Sequence, residues 1–147
     1  MCLRTFVENE LKYNFKENRL LEEALVTSGV VSEKNSIVER QGNRRLALIG
    51  DALIRLELVH NRYLEGATLE TSQRCVSKNA SNRNLGTIGQ HNGLVDQMVL
   101  PASQHEPALY TVATTVEALI GAIWLDSEQD FDVAGRAIRA LHIEPTQ

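Results

Sequence analysis

A chain of 147 residues is the size of one domain, and it can bury a core without disulfides or a structural metal. A net charge of −4 and a pI near 5.6 argue against a general polyanion binder, so any nucleic-acid contact must rest on a local basic patch. Cys2 and Cys75 are too few for a disulfide framework, which fits a reducing compartment.

The opening stretch, MCLRTFVENELKYNFKEN, mixes acids with bases and has neither a secretory apolar region nor an acid-poor presequence. The longest unbroken apolar run, Ala118 to Leu125, is far short of a membrane span. The expectation is a soluble intracellular protein with no membrane partner; a mitochondrial address removed in maturation is compatible with it.

Arg4 to Tyr13 is predicted as a short helix that buries Phe6, Val7 and Leu11. Asn18 to Val26 follows as a second, with Leu20, Leu21, Ala24 and Leu25 apolar and Glu22 and Glu23 outward. Gly29 to Gly42 reads as a polar loop, and Asn43 is a good N-cap for what comes next. That next segment, Asn43 to Leu64, is a long helical pattern with apolar residues on most of its circumference and Asp51 set among them. An ionised carboxylate there is costly unless donors or a cation meet it, and the small residues Gly50 and Ala52 beside it let another backbone approach. An acid near the surface or paired with an arginine satisfies the pattern as well as a functional acid does.

Thr68 or Thr71 starts a helix that turns Cys75 and Val76 inward. On it Arg74 and Lys78 share a face, and Arg83 extends the stripe, as a phosphate-binding surface or as a plain solvated one. Ser81 to His91 is a further helix anchored by Leu85 and Ile88 and closed by Asn92-Gly93. Leu94 to Val99 is a short apolar segment, and Pro101 to Pro107 a loop. Leu109 to Asp126 repeats the earlier design, an apolar helix with a single internal acid, Glu117. Ser127 to Asp132 turns the chain into a last helix, Val133 to Leu141, and Ile143 to Gln147 is expected to fray. No β-alternation of any length appears, so the fold class is all-α. His60, His91, His105 and His142 are scattered and read as surface residues.

Two apolar helices with one internal acid each could bring Asp51 and Glu117 to one point and share a divalent cation. A rival reading places Glu117 in a capping box with Thr114, as a helix-start device.

The segments Asn43-Arg44-Arg45-Leu46-Ala47-Leu48-Ile49-Gly50-Asp51-Ala52 and Ala113-Thr114-Thr115-Val116-Glu117-Ala118-Leu119-Ile120-Gly121-Ala122-Ile123-Trp124-Leu125-Asp126 together resemble the signature of the ribonuclease III family. Its two motifs read roughly NERLEFLGDA and ADxxEALIGALYLD. Phe15 to Leu25 looks like the family's opening helix and Ser81 to Gly86 like its middle one.

The resemblance implies a helical endonuclease domain spanning the whole chain, which handles double-stranded RNA as a twofold dimer with Mg²⁺ or Mn²⁺ held by carboxylates. The family places two acids four apart on the first motif helix and two acids three apart on the second, so that each pair shares a face. Here the first pair falls on Ala47 and Asp51, the second on Thr114 and Glu117, and a further family acid falls on Arg44. Asp51 and Glu117 are the expected catalytic acids and metal ligands of a degenerate site, with Arg44, Ala47 and Thr114 at the altered positions. Two negative charges against one positive should hold Mg²⁺ weakly or not at all.

The leading expectation is therefore an RNase III-like homodimer, paired through the Asn43 to Leu64 helix by Leu46, Leu48, Ile49 and Leu53, that binds duplex RNA through Arg74, Lys78 and Arg83 with little or no cleavage. A working Mg²⁺-dependent endoribonuclease using Asp51 and Glu117 is the rival, and a purely structural part of a larger ribonucleoprotein the third reading. The family's following RNA-binding domain does not appear before Gln147, which is reminiscent of short family members and of RNase III-like proteins in mitochondrial ribosomes.

Overall fold

A computed structural model of the chain describes residues 1–30 and 37–144. In chain order the helices are α1 (Leu3–Leu11), α2 (Asn18–Leu25), α3 (Ile37–Arg40), α4 (Arg44–Leu64), α5 (Leu69–Asn79), α6 (Asn82–His91), α7 (Leu109–Asp126) and α8 (Phe131–Ala140), with a 3-10 turn at Leu94–Gln97. The all-α expectation holds, and the only extended pairing among the described residues is one parallel bridge between Val26 and Val99. Of the predicted loop from Gly29 to Gly42, residues 31–36 lie outside the described residues, while Ile37–Arg40 forms a single helical turn.

The core is built around α7, whose apolar residues recur on every side and are buried from Val112 to Ile123 with few breaks. By length and composition alone α7 could cross a membrane, but most of it is spent inside the fold, as the central helix of a helical domain. Its largest neighbour is α4, with α6 and α2 on other flanks. α4 and α7 meet backbone to backbone: a Cβ at Gly50 would fall on the carbonyl of Glu117, and one at Gly121 on the carbonyl of Leu46. Only glycine permits that approach, and it sets Asp51, the next residue on α4, beside Glu117 on α7.

Asn43 stands at the N-cap position of α4, yet its side chain caps nothing. Its amide donates instead to Ala24 O (2.8 Å) and Thr115 Oγ1 (3.0 Å), so one buried side chain ties α2 to α7 at the root of α4. The expected capping role fails because these two bonds from Nδ2 fix the amide toward α2 and α7, away from the first N–H groups of α4. The other polar caps are local: Thr68, Ser81 and Asp130 accept backbone N–H groups at the starts of α5, α6 and α8. Asp130 starts α8 at Phe131, two residues before the predicted Val133.

At the far end of α7 the carboxylate of Asp126 accepts from the Tyr13 hydroxyl (2.6 Å) and from the backbone N–H groups of Lys16 and Glu17 (2.8 Å each). That set pins the entry to α2. The predicted fraying tail is held as well, as far as it is described: Ile143 is buried, its carbonyl accepts from Asn84 Nδ2 (2.8 Å), and Glu144 pairs with Arg62 at 3.1 Å. Residues 145–147 lie outside the described residues.

Candidate functional site

Asp51 and Glu117 meet at the α4–α7 crossing, within hydrogen-bonding reach of each other. They line one side of a cleft of about 230 Å³ whose other walls are Arg44, Ala47, Leu48, Tyr110 and Thr114. Every position singled out from the motifs faces this one cleft. Helical spacing explains the α4 side, since residues 44, 47 or 48, and 51 follow one face, and the α7 side repeats it through 110, 114 and 117.

The guanidinium of Arg55, one turn beyond Asp51, takes both carboxylate oxygens of that residue, Nε to Oδ1 at 3.0 Å and to Oδ2 at 3.2 Å. Burial, and then the hydrogen bond and negative charge of Asp51, push the Glu117 carboxyl up to about 8 against a smaller downward pull from Arg55. With no cation between the two acids, the protonated form of Glu117 is favoured well above the ordinary carboxylate range. Thr114 donates its hydroxyl to Tyr110 O (2.9 Å) in its own helix, and α7 begins at Leu109, so Thr114 and Glu117 form no capping box.

This lining offers a divalent cation two carboxyls and no more. Mg²⁺ needs anionic oxygens free to turn toward it. Here the lining supplies two carboxyls, Asp51 and Glu117, of which Asp51 is paired with Arg55; Ala47 offers no ligand and Thr114 offers only a neutral hydroxyl oxygen. Among the described residues no three of His, Cys, Asp and Glu are placed to hold a metal ion together.

Arg74, Lys78 and Arg83 all lie exposed, the first two on one face of α5 and the third in the first turn of α6. The four histidines are exposed, as expected. The apolar girth of α4 divides in a way its periodicity does not reveal. Leu46 and Leu53, expected at a pairing surface, are consumed by the chain's own core, as members of its buried apolar cluster. Leu48 is 75% exposed, and Leu56, Val59, Tyr63 and Leu64 also point outward. Leu56, Val59 and Tyr63 line a groove of about 980 Å³ with Leu69 and Val76 of α5, and Arg55 stands on its wall.

Sequence reasoning missed Glu57, a second acid of α4 that is 3% exposed. It is satisfied by Arg139 of α8 (2.6 Å) and by Asn61 (3.3 Å). No local signal marks that partnership, since Arg139 lies in the last helix.

The family described as Ribonuclease III domain matches residues 44–128. The chain is 31% identical over 147 residues to Ribonuclease 3 of Syntrophotalea carbinolica, covering 96% of this chain and 62% of that protein. It is 31% identical over 131 residues to Ribonuclease 3 of Campylobacter fetus, covering 82% and 54%. The chain thus spans little more than half the length of these curated relatives. Its fold superposes on the nuclease domain of ribonuclease III from Campylobacter jejuni with a TM-score of 0.80 at 22% identity, covering 100% of this chain and 99% of that one. A second structure of the same nuclease domain, described by its flexibility in a region involved in dimer formation, gives 0.79 at 21% identity over 93% and 94%.

Proposed function

The chain belongs to the ribonuclease III domain family, and on that premise we propose that it recognises double-stranded RNA while cleaving it weakly or not at all. The observation that carries this reading is the cleft itself. Asp51 and Glu117 converge there, with Ala47, Thr114 and Arg44 at the positions where the family motif has acids. Hydrolysis of a phosphodiester by bound metal requires carboxylates that fix the ion and orient the attacking water. Two acids, one of them paired with Arg55, with no third or fourth carboxyl beside them, supply both services poorly.

Recognition needs none of that machinery. Duplex RNA is read by shape, through phosphate and 2′-hydroxyl contacts across its shallow minor groove. The exposed cations Arg74, Lys78 and Arg83 are the residues we assign to phosphate contact. With so few contacts the affinity of one domain is modest, roughly 10⁻⁴ to 10⁻⁶ M at physiological salt. Pairing of two copies doubles the contact surface, and the outward leucines of α4 with the apolar groove beside α5 support a twofold homodimer. Leu48, Leu56, Val59 and Tyr63 take the role in that dimer expected of Leu46 and Leu53.

The test is incubation of duplex RNA with the purified protein in Mg²⁺ or Mn²⁺, beside Asp51→Asn and Glu117→Gln. The expected result is binding without cleavage in all three proteins. Cleavage by the parent that both substitutions abolish would overturn the reading in favour of a metal-dependent endoribonuclease with Asp51 and Glu117 as its ligands. Sedimentation at micromolar concentration tests the pairing: a dimer that Leu56→Glu splits supports it, and a monomeric parent removes it.

A further inference from the structure

α4 opens against its own electrostatics. The positive end of a helix dipole favours acids in the first turn and disfavours a cation there. α4 carries no acid in its first turn and begins with Arg44 and Arg45. Arg45 is partly compensated by Glu23 at 3.9 Å. Arg44 is exposed and makes no ion pair or side-chain hydrogen bond among the described residues, and it lines the cleft. Among the described residues nothing offsets Arg44 in this arrangement; an anion in the cleft would.

The rest of the cleft is disposed for such a guest. Ala47 leaves room beside Arg44 and adds no negative charge. Of the two acids in the lining, Asp51 is paired with Arg55 at 3.0 Å and Glu117 stands beside Asp51. Half-exposed Tyr110 stands at the rim, and about 230 Å³ is ample for a phosphate group. A guanidinium binds a phosphate through two parallel N–H donors, which a hydrated metal ion does not need and a lone lysine cannot offer.

We propose that this cleft is a phosphate seat, in which Arg44 takes a phosphodiester of the RNA backbone directly and without a metal ion, while Arg55 holds Asp51 neutralised beneath it. The proposal rests on the reading of the domain as a binder of duplex RNA. Arg44 makes the contact, and Arg55 acts only through Asp51.

The experiment measures binding of a short labelled RNA duplex by the full chain over a salt series, once in EDTA and once in Mg²⁺. The parent should bind the same in both. Arg44→Gln should bind about tenfold more weakly in both and lower the slope of log affinity against log salt by about one. Arg44→Glu with Ala47→Glu and Thr114→Asp, which rebuilds an acidic site, should bind poorly in EDTA and recover in Mg²⁺. A parent that loses affinity in EDTA, or an Arg44→Gln protein indistinguishable from it, would overturn the seat. If Lys78→Gln weakens binding while Arg44→Gln does not, RNA recognition stands and the seat falls. If the parent binds no duplex under either condition, the functional reading fails and takes the seat with it.

Discussion

Glu117 and Asp126 sit on the same helix, and the fold treats them in opposite ways. Burial alone would raise both carboxyls. At Asp126 the hydrogen bonds from the Tyr13 hydroxyl and the Lys16 and Glu17 N–H groups outweigh that penalty and hold it below its ordinary value. At Glu117 the neighbour is another acid, and the carboxyl rises to about 8. Depth of burial therefore does not separate a structural acid from a site acid; the partners do. Asp126 is an anchor whose two oxygens accept three hydrogen bonds. Glu117 is held in an unfavourable state by the rest of the fold, as strained ionisable groups at functional sites often are.

That contrast depends on α4 and α7 staying in backbone contact, so the largest effect should come from prising them apart. Gly50→Ala drives a methyl into the Glu117 carbonyl and should destabilise the protein by about 3 kcal/mol or more. Urea denaturation checks this, and a loss under about 1 kcal/mol would mean that the crossing relaxes freely.

Asp126→Asn should cost about 2–3 kcal/mol at pH 7, since it removes a charged acceptor from three donors. The folded-state value is depressed, so the native protein holds fewer protons than the unfolded chain as pH falls through the ordinary value of 3.8. Stability from this group is full above that value and lost below it, and the gap between parent and variant should close in acid. A gap that persists unchanged at pH 2.5 would show that packing, not charge, is what Asp126 supplies.

Glu117→Gln should behave in the opposite sense. The raised value means that the native state binds an extra proton between 4.5 and about 8, so the parent loses stability as pH rises through that window. The amide cannot ionise, and the variant should lack this slope and overtake the parent at pH 8.5. Glu117 is partly exposed, so solvent screening reduces the difference to about 1–2 kcal/mol. Parallel denaturation profiles for the two proteins from pH 5 to 8.5 would refute the raised value.

Much of this contrast was legible before any coordinates. A period of three to four apolar residues interrupted by a single acid marks an acid facing other protein, and Gly50 beside Asp51 signals a close backbone. The α7 boundaries follow from the same pattern. What stayed hidden are the partners. Tyr13 reaches Asp126 across 113 residues and Arg139 reaches Glu57 across 82, and no local statistic links such positions. Asn43 shows the same limit from the other side, because its residue type favours a cap, while its neighbours in space decide otherwise. Periodicity also could not say which apolar flank of α4 is core and which is open, since Leu46 and Leu48 both fit an all-round apolar helix.

The smallest effect on stability is the most informative about the cleft. Arg55 and Asp51 form an exposed pair one helical turn apart, a geometry that contributes about 0.3–0.5 kcal/mol at most. Arg55→Gln should therefore leave the denaturation midpoint almost where it was. It also removes the one cation that pulls Glu117 down, so the Glu117 carboxyl should titrate still higher than in the parent. Carbon NMR of the side-chain carboxyls reads both acids at once. A Glu117 titration that stays put, or moves down, would mean that Arg55 does not govern the charge of the pair, and the two acids would then have to share their proton without its help.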